Sequence, residues 1–333
     1  MPIVKKQICG KTEKKVDALI HGAVMVDIDE QQKSAELLDS IWKAGCTTFD
    51  TAHAYRDGKC EQSLGKWMED RGNRDEIFII SKCGHYNDYR RRVTPYDIGA
   101  DLLDSLVKLR TDYIDMYMLH RDDPTYPVEA LVDAFNSHIE NGTIKSWGMS
   151  NWDYERVKAA NDYSRKNNLV SPTASSTHFS LGVQYVKPWG DTPFGDEGVS
   201  ETITGDDMVE AREYYEAEQM PFFAYSPLCR GLFSGSFSKE KLAKNPDIVD
   251  EATVKAYCHE PNYERLARVS VYAEKNGYTV AQVALAWVLH QRMNMFILVG
   301  ANTAEEYLDS AKAFEIELTK KEMDWMNLLS DAV

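Results

Sequence analysis

A closed parallel α/β barrel is the fold class this chain predicts, and three observations carry it. Short apolar, β-branched runs alternate with longer amphipathic segments, eight of each. The first run, IHGAVMVDID, leads into no Gly-rich phosphate turn of the GxGxxG kind, which weakens the competing doubly wound sheet. Ionisable side chains also gather where several runs end, as they do on the C-terminal face of a barrel. The 333-residue length would suit two ordinary domains or one barrel of about 250 residues with insertions, so the pattern decides and not the length.

The strand candidates are 20–26, 47–52, 77–83, 114–120, 144–150, 172–179, 221–226 and 295–300, each bounded by turn residues or polar clusters. Amphipathic patterns at 31–44, 59–70, 97–109, 128–140, 153–167, 206–218, 279–291 and 303–313 supply the helices between and after them. Ahead of the barrel, residues 4–9 and 13–18 flank Gly10-Lys11-Thr12 and read as a short N-terminal β-hairpin. The Gly-Lys-Thr turn resembles the end of a phosphate-binding loop, but Lys5 stands where that loop needs its first glycine. Residues 181–205, rich in Gly, Pro and acids and carrying Trp189 and Phe194, form one long loop of the kind that is usually functional or disordered. With no linker-like shift and no internal repeat, the expectation is a single (β/α)8 TIM barrel domain over 1–333.

Charge and composition narrow the partners. Lys plus Arg total 38 against 53 for Asp plus Glu, a net charge of −15 that disfavours nucleic acid and anionic membrane surfaces. No apolar run is long enough to span a bilayer, and the N-terminus lacks the apolar core of a secretory signal, so a cytoplasmic location is expected. Six cysteines without CxxC spacing fit isolated thiols in a reducing compartment and argue against a zinc ribbon; no metal site is read. No oligomeric state is assigned.

The strand ends carry the chemistry. The second strand finishes Phe49-Asp50-Thr51-Ala52-His53-Ala54-Tyr55, the third Ser81-Lys82-Cys83 and the fourth Met118-Leu119-His120-Arg121. An ammonium inside an apolar strand is costly unless paired, and Asp50 on the neighbouring strand is the candidate partner of Lys82. A phenol with its ordinary pKa near 10 exchanges protons poorly at neutral pH, so the ammonium is expected to lower Tyr55. Tyr55 would then protonate a carbonyl oxygen while hydride reaches its carbon, or run the reverse on an alcohol, with His120 orienting the oxygen.

On these residues the chain resembles the aldo-keto reductase superfamily over nearly its whole length. The matching pieces are Phe49 to Ala52 with Tyr55, Glu61 and Leu64-Gly65, then Ser81-Lys82, Leu103 to His120, Gly148 to Trp152, Ala224 to Leu228 and Ala281 to Trp287. The resemblance implies a barrel that binds an extended nicotinamide dinucleotide without a Rossmann domain. It places Ser150 and Asn151 at the carboxamide and Tyr225 against the nicotinamide ring. It assigns Ser226, Leu228, Gly231, Phe233 and Gly235 to a pyrophosphate strap, and Ala301, Asn302 and Glu306 to the adenosine end. Two departures follow: Ser176 stands where many relatives have Gln, and Asn302 with Glu306 replaces the cations expected for a 2′-phosphate. NAD(H) is therefore favoured, with NADP(H) possible.

Near the expected mouth, His53, Arg121, Trp152, Trp189 and Arg230 are substrate candidates, a mixture of aromatic and cationic groups suited to a polar, sugar-like carbonyl compound. Arg90-Arg91-Arg92 reads as a solvated patch. Three alternatives are kept: a cofactor-bound sensor or channel-associated subunit with little turnover, a hydrolase pairing Asp50 with Asp122 or Asp123, and a redox-neutral cycle on a retained cofactor.

Overall fold

The computed structural model describes the backbone of residues 6–8 and residues 14–188, 194, 201–245 and 248–332. Strands β1 (Lys6–Ile8) and β2 (Lys15–Asp17) pair antiparallel as the expected hairpin, Lys6 opposite Asp17, while the turn at Gly10-Lys11-Thr12 lies outside the described residues. Eight parallel strands follow: β3 (Leu19–Gly22), β4 (Thr48–Asp50), β5 (Phe78–Cys83), β6 (Met116–Leu119), β7 (Trp147–Ser150), β8 (Ala174–Ser176), β9 (Phe222–Ala224) and β10 (Met295–Val299). They neighbour one another in chain order and β10 returns to β3, closing the barrel.

Helices α1 (Gln31–Lys43), α2 (Lys59–Arg71), α3 (Pro95–Leu109), α4 (Val128–Glu140), α5 (Tyr154–Lys166) and α6 (Val209–Glu218) fill the successive crossovers. After β9 come α7 (Lys239–Lys244), α8 (Glu251–Tyr257), α9 (Glu260–Asn276) and α10 (Val280–Leu289). Then α11 (Ala304–Ala311) and α12 (Lys320–Met326) follow β10. Caps mark their starts as the side chains dictate. Thr94 accepts from Asp97 N–H with Pro95 at the first helical position, and Thr279 with Gln282 closes a capping box on α10. Among the described residues no helix is long and apolar enough to cross a membrane.

All eight strands are shorter than their apolar runs, and two show why. The run 20–26 forms a strand only to Gly22 and then turns through residues 23–25, and 172–179 pairs regularly only over Ala174–Ser176. The chain must leave the barrel rim there; His178 makes isolated bridges to Tyr225 and Thr202 instead.

Period-two alternation sorts the side chains into two cores. Outward residues such as Phe49, Ile79, Tyr117, Trp147 and Met149 pack beneath the helices. Inward residues Ile20, Phe78, Ile80, Met116, Met118, Ala174, Phe223, Phe296 and Leu298 fill the barrel, joined from below by Val16 of the hairpin and Ala18 just after it. The same parity carries upward. Lys82 follows Phe78 and Ile80, His120 follows Met116 and Met118, Ser176 follows Ala174, and Tyr225 follows Phe223, so these polar groups cap an apolar plug at the C-terminal rim. Gly148 keeps β7 close to β8, since a Cβ there would lie 2.4 Å from Ala174 O.

Candidate active site

At the rim, β4 and β5 bring Asp50 and Lys82 together, and the ammonium donates to Asp50 Oδ1 at 2.7 Å and to Thr51 O at 2.9 Å. Its third contact is Tyr55 Oη at 3.4 Å. Tyr55 arrives from the short turn after β4, tied by its own N–H to Ala52 O. The next two residues, Arg56 and Asp57, take left-handed φ of 48° and 55°, turning the chain so that the phenol faces inward. Such conformations are unfavourable for non-glycine residues and concentrate at functional sites. His120 lies edge-on to Tyr55 with ring centroids 5.5 Å apart, and its Nδ1 is buried with no hydrogen-bond partner among the described residues.

Electrostatics corrects one expectation. Burial raises Tyr55 above its ordinary pKa, and Lys82 opposes that rise without reversing it, so the phenol is held protonated rather than made unusually acidic. Burial works against the Lys82 ammonium, but Asp50 and Tyr55 hold its pKa above the usual lysine value. Burial also lowers His120 well below its ordinary value, with the charges of His85, Lys82 and Arg121 acting the same way, so the imidazole is neutral. The set can therefore present a proton on a phenol, stabilise the phenolate left behind and offer a neutral imidazole to a polarised oxygen.

These four residues line one cavity of about 1190 Å³, which also reaches Ser150, Asn151, Ser176, Tyr225, Ser226, Arg230 and Gly300. That exceeds the space of a single small ligand and suits two. Asn151, at a left-handed φ of 61°, donates to His120 O at 3.1 Å and accepts the Tyr225 hydroxyl at 2.7 Å. Ser176 Oγ donates to Phe223 O at 3.1 Å. A Cβ added to Gly300 would meet nothing within 4 Å, so the backbone opens on space there.

Other residues fall elsewhere. Trp152 is buried and off the cavity: its indole donates to Arg121 O at 3.2 Å, and the Arg156 guanidinium lies over its ring at 4.9 Å. Its place is the packing under the rim, because the turn at Asn151 sends it behind the wall. Trp189 lies outside the described residues. The strap segment folds on itself, with Gly231 and Phe233 N–H both donating to Leu228 O, and the Phe233 side chain is fully buried. Leu228, Gly231, Phe233 and Gly235 therefore do not line the cavity in this conformation, and neither do Ala301, Asn302 and Glu306. His53 does line it, with Nε2 3.2 Å from Asp104 Oδ2.

The arginine run is ion-paired rather than merely solvated, and of its three residues only Arg90 is exposed. Arg90 pairs with Asp97, Arg91 with Asp123 at 3.0 Å and with Phe194 O at 2.9 Å, and Arg92 with Asp101 while lining the cavity. Its signal in sequence was the aspartates of α3, spaced to answer it. Asp122, pushed up to about 6 by burial, is bonded to Arg156 at 2.6 Å, and neither it nor Asp123 reaches the cavity to pair with Asp50. His85, Tyr86, Asn87 and Glu201 were not singled out from sequence; the first three come from the loop after β5 and Glu201 from the long loop.

Fold and site together define a class: a (β/α)8 barrel whose rim carries an Asp–Lys–Tyr–His group facing one cavity. The chain belongs to the aldo/keto reductase family, whose model matches residues 18–330, and membership supports an oxidoreductase. It is 26 % identical over 319 residues to Aldo-keto reductase str7 of Strobilurus tenacellus, covering 91 % of this chain and 83 % of that one. A Schizosaccharomyces pombe protein named for a voltage-gated potassium channel subunit beta is 25 % identical over 295 residues, covering 84 % and 78 %. The crystal structure of the thermostable aldo-keto reductase Tm1743 with the inhibitor epalrestat aligns over 98 % of this chain and 100 % of its own, with a TM-score of 0.70 and 22 % identity, a likeness of fold.

Proposed function

We propose that the protein interconverts a carbonyl compound and an alcohol, using a nicotinamide dinucleotide and a polar, sugar-like substrate, with Tyr55 as general acid/base. The observation that carries this reading is the single Lys82 ammonium, bonded at once to Asp50 at 2.7 Å and to Tyr55 Oη at 3.4 Å beneath a cavity with room for two ligands.

Ser150, Asn151 and Tyr225 would hold the nicotinamide end, and Ser226, Arg230 and Gly300 the stretch beyond it. The bound dinucleotide supplies or accepts the hydride at the substrate carbon. In reduction, Tyr55 Oη gives its proton to the carbonyl oxygen, and the phenolate that remains is stabilised by the Lys82 N–H already aimed at it. Asp50 keeps Lys82 charged, and His120, neutral, donates a ring N–H to the same oxygen. In oxidation the proton returns to Tyr55. NAD(H) is the favoured cofactor: Glu306 accepts Asn302 N–H at 2.8 Å at the start of α11, and its exposed carboxylate would repel a 2′-phosphate.

A second reading, a cofactor-loaded sensor with little turnover, draws on the relative named for a potassium channel subunit. Titration with both reduced dinucleotides, followed by steady-state turnover of a panel of sugar-like aldehydes, separates the two. Tyr55→Phe should bind dinucleotide as the parent does while turnover falls about 10²–10⁴-fold. Tight binding with no parent turnover on any aldehyde would favour the sensor, and unchanged turnover in Tyr55→Phe would remove the phenol from its role.

A further inference from the structure

Every lysine and arginine lining the cavity is already answered by a carboxylate. Lys82 has Asp50 at 2.7 Å, Arg230 has Asp250 at 2.8 Å, Lys108 has Asp104 at 3.5 Å, and Arg92 has Asp101. The remaining one, Arg121, directly follows His120, and its charge bears on both Tyr55 and His120. It is a cavity-lining cation, next in sequence to His120, that could meet a charged group of a substrate. Its Nη1 donates to Glu201 Oε1 at 2.8 Å.

Glu201 is fixed for that contact from its backbone as well as its side chain. Its carbonyl oxygen accepts His178 N–H at 3.1 Å and stands 2.9 Å from the Tyr225 hydroxyl. The side chain is only 9 % exposed, and Oε2 is buried with no partner among the described residues. A carboxylate held in this way costs desolvation that an amide would largely avoid, and what offsets that cost is the charge of Arg121, whose side chain is itself mostly buried. The pairing also cancels that charge at the cavity wall. Arg121 lines the cavity and has guanidinium N–H donors besides the one given to Glu201, which can serve hydroxyl groups, but the pair no longer presents a net positive charge to an anion.

We propose that Glu201 is a specificity-determining positioning residue: by pairing with Arg121 it neutralises the rim beside the reacting oxygen, so that the site selects uncharged, hydroxylated carbonyl compounds over those bearing a carboxylate. This rests on the carbonyl–alcohol reading above and adds to it the charge class of the substrate and the residue that sets it.

The test compares glyceraldehyde with succinic semialdehyde as substrates of the dinucleotide-loaded enzyme. In Glu201→Gln the ratio of kcat/KM for the carboxylate aldehyde over the neutral one should rise about tenfold or more, carried by a lower KM for the carboxylate aldehyde. Glu201→Asp should return the ratio towards the parent value, and Arg121→Gln combined with Glu201→Gln should abolish the gain. A merely structural role would change both substrates alike, and an unmoved ratio overturns the proposal.

A second readout needs no turnover. Succinate should raise the Tm of dinucleotide-loaded Glu201→Gln, but not of the parent or the double variant. If succinate discriminates while neither aldehyde reacts with any variant, the charge assignment stands and the carbonyl reading falls. If both aldehydes react but neither the ratio nor the succinate response moves, the charge assignment falls alone; if nothing reacts and succinate discriminates nothing, both fall.

Discussion

Two walls of the same cavity are built by different means. On the β4–β6 side, Asp50, Lys82 and His120 come straight off adjacent strands, on the inward parity, and Lys82 bonds Asp50 without any loop having to choose a conformation. On the β7–β9 side, Asn151 and Ser226 take left-handed φ values of 61° and 48°, the segment from Leu228 closes on itself, and Glu201 reaches Tyr225 and Arg121 from the connection after β8. The first wall is as rigid as the sheet that carries it. The second is set by turns and side-chain bonds, whose alternatives differ by only a few kcal/mol.

The sharpest way to break this comparison is to remove the cation of the rigid wall. Lys82→Met leaves Asp50 buried and unpaired, so turnover should fall about 10²-fold or more and stability by about 3–5 kcal/mol in urea unfolding. Adding Asn at position 50 should recover much of the stability and none of the turnover. A single variant as stable as the parent would show that the pair is solvated and the wall not pre-built.

A second probe acts on the looser wall through pH. His178, beside Tyr225, is held neutral with its pKa lowered to about 3 by burial. The unfolded chain binds that proton near pH 6.5 and the folded chain does not. Its contribution is therefore complete above pH 6.5 and is lost as pH falls from there towards 3. The plot of unfolding free energy against pH over that window should be shallower in His178→Asn, by up to about 1.4 kcal/mol per pH unit. Parallel slopes for parent and variant would mean that water or a proton reaches His178 in the folded state.

Smaller effects sharpen the picture at the periphery. Glu306→Arg should move the ratio of Kd values for the two reduced dinucleotides about tenfold towards NADPH, about 1.4 kcal/mol, by fluorescence titration. An unmoved ratio would take the start of α11 out of cofactor selection. Trp152→Phe loses the indole bond to Arg121 O and part of a buried ring packed under Arg156, so stability should drop by about 1–3 kcal/mol with KM unchanged. A large KM change would return Trp152 to the substrate.

Strand parity explains why so much of the rim was legible in sequence. A period of two is written in the order of residues, so Ile80-Ser81-Lys82 places the ammonium inward once β5 is recognised, and Met118-Leu119-His120 does the same for the imidazole. Trp152 and Trp189 carried no such register: the former lies one residue beyond a left-handed turn that points it into the packing, and the latter lies in the long loop, outside the described residues. The arginine run misled because a charge run read alone faces solvent: Asp97 and Asp101 on α3 were a signal close by in sequence, and only Asp123, from the loop after β6, is brought up by the fold alone.

By itself, then, the order of residues determined the eight βα units, their inward faces and the four groups at the rim, because alternation and burial are local consequences of side-chain chemistry. Tertiary structure alone decided the sign of the Tyr55 shift, since desolvation depends on everything packed around the phenol and outweighs one neighbouring ammonium. It also decided that Glu201 meets Arg121, because a contact across 80 residues is fixed by where the fold places the two side chains and not by any spacing along the chain.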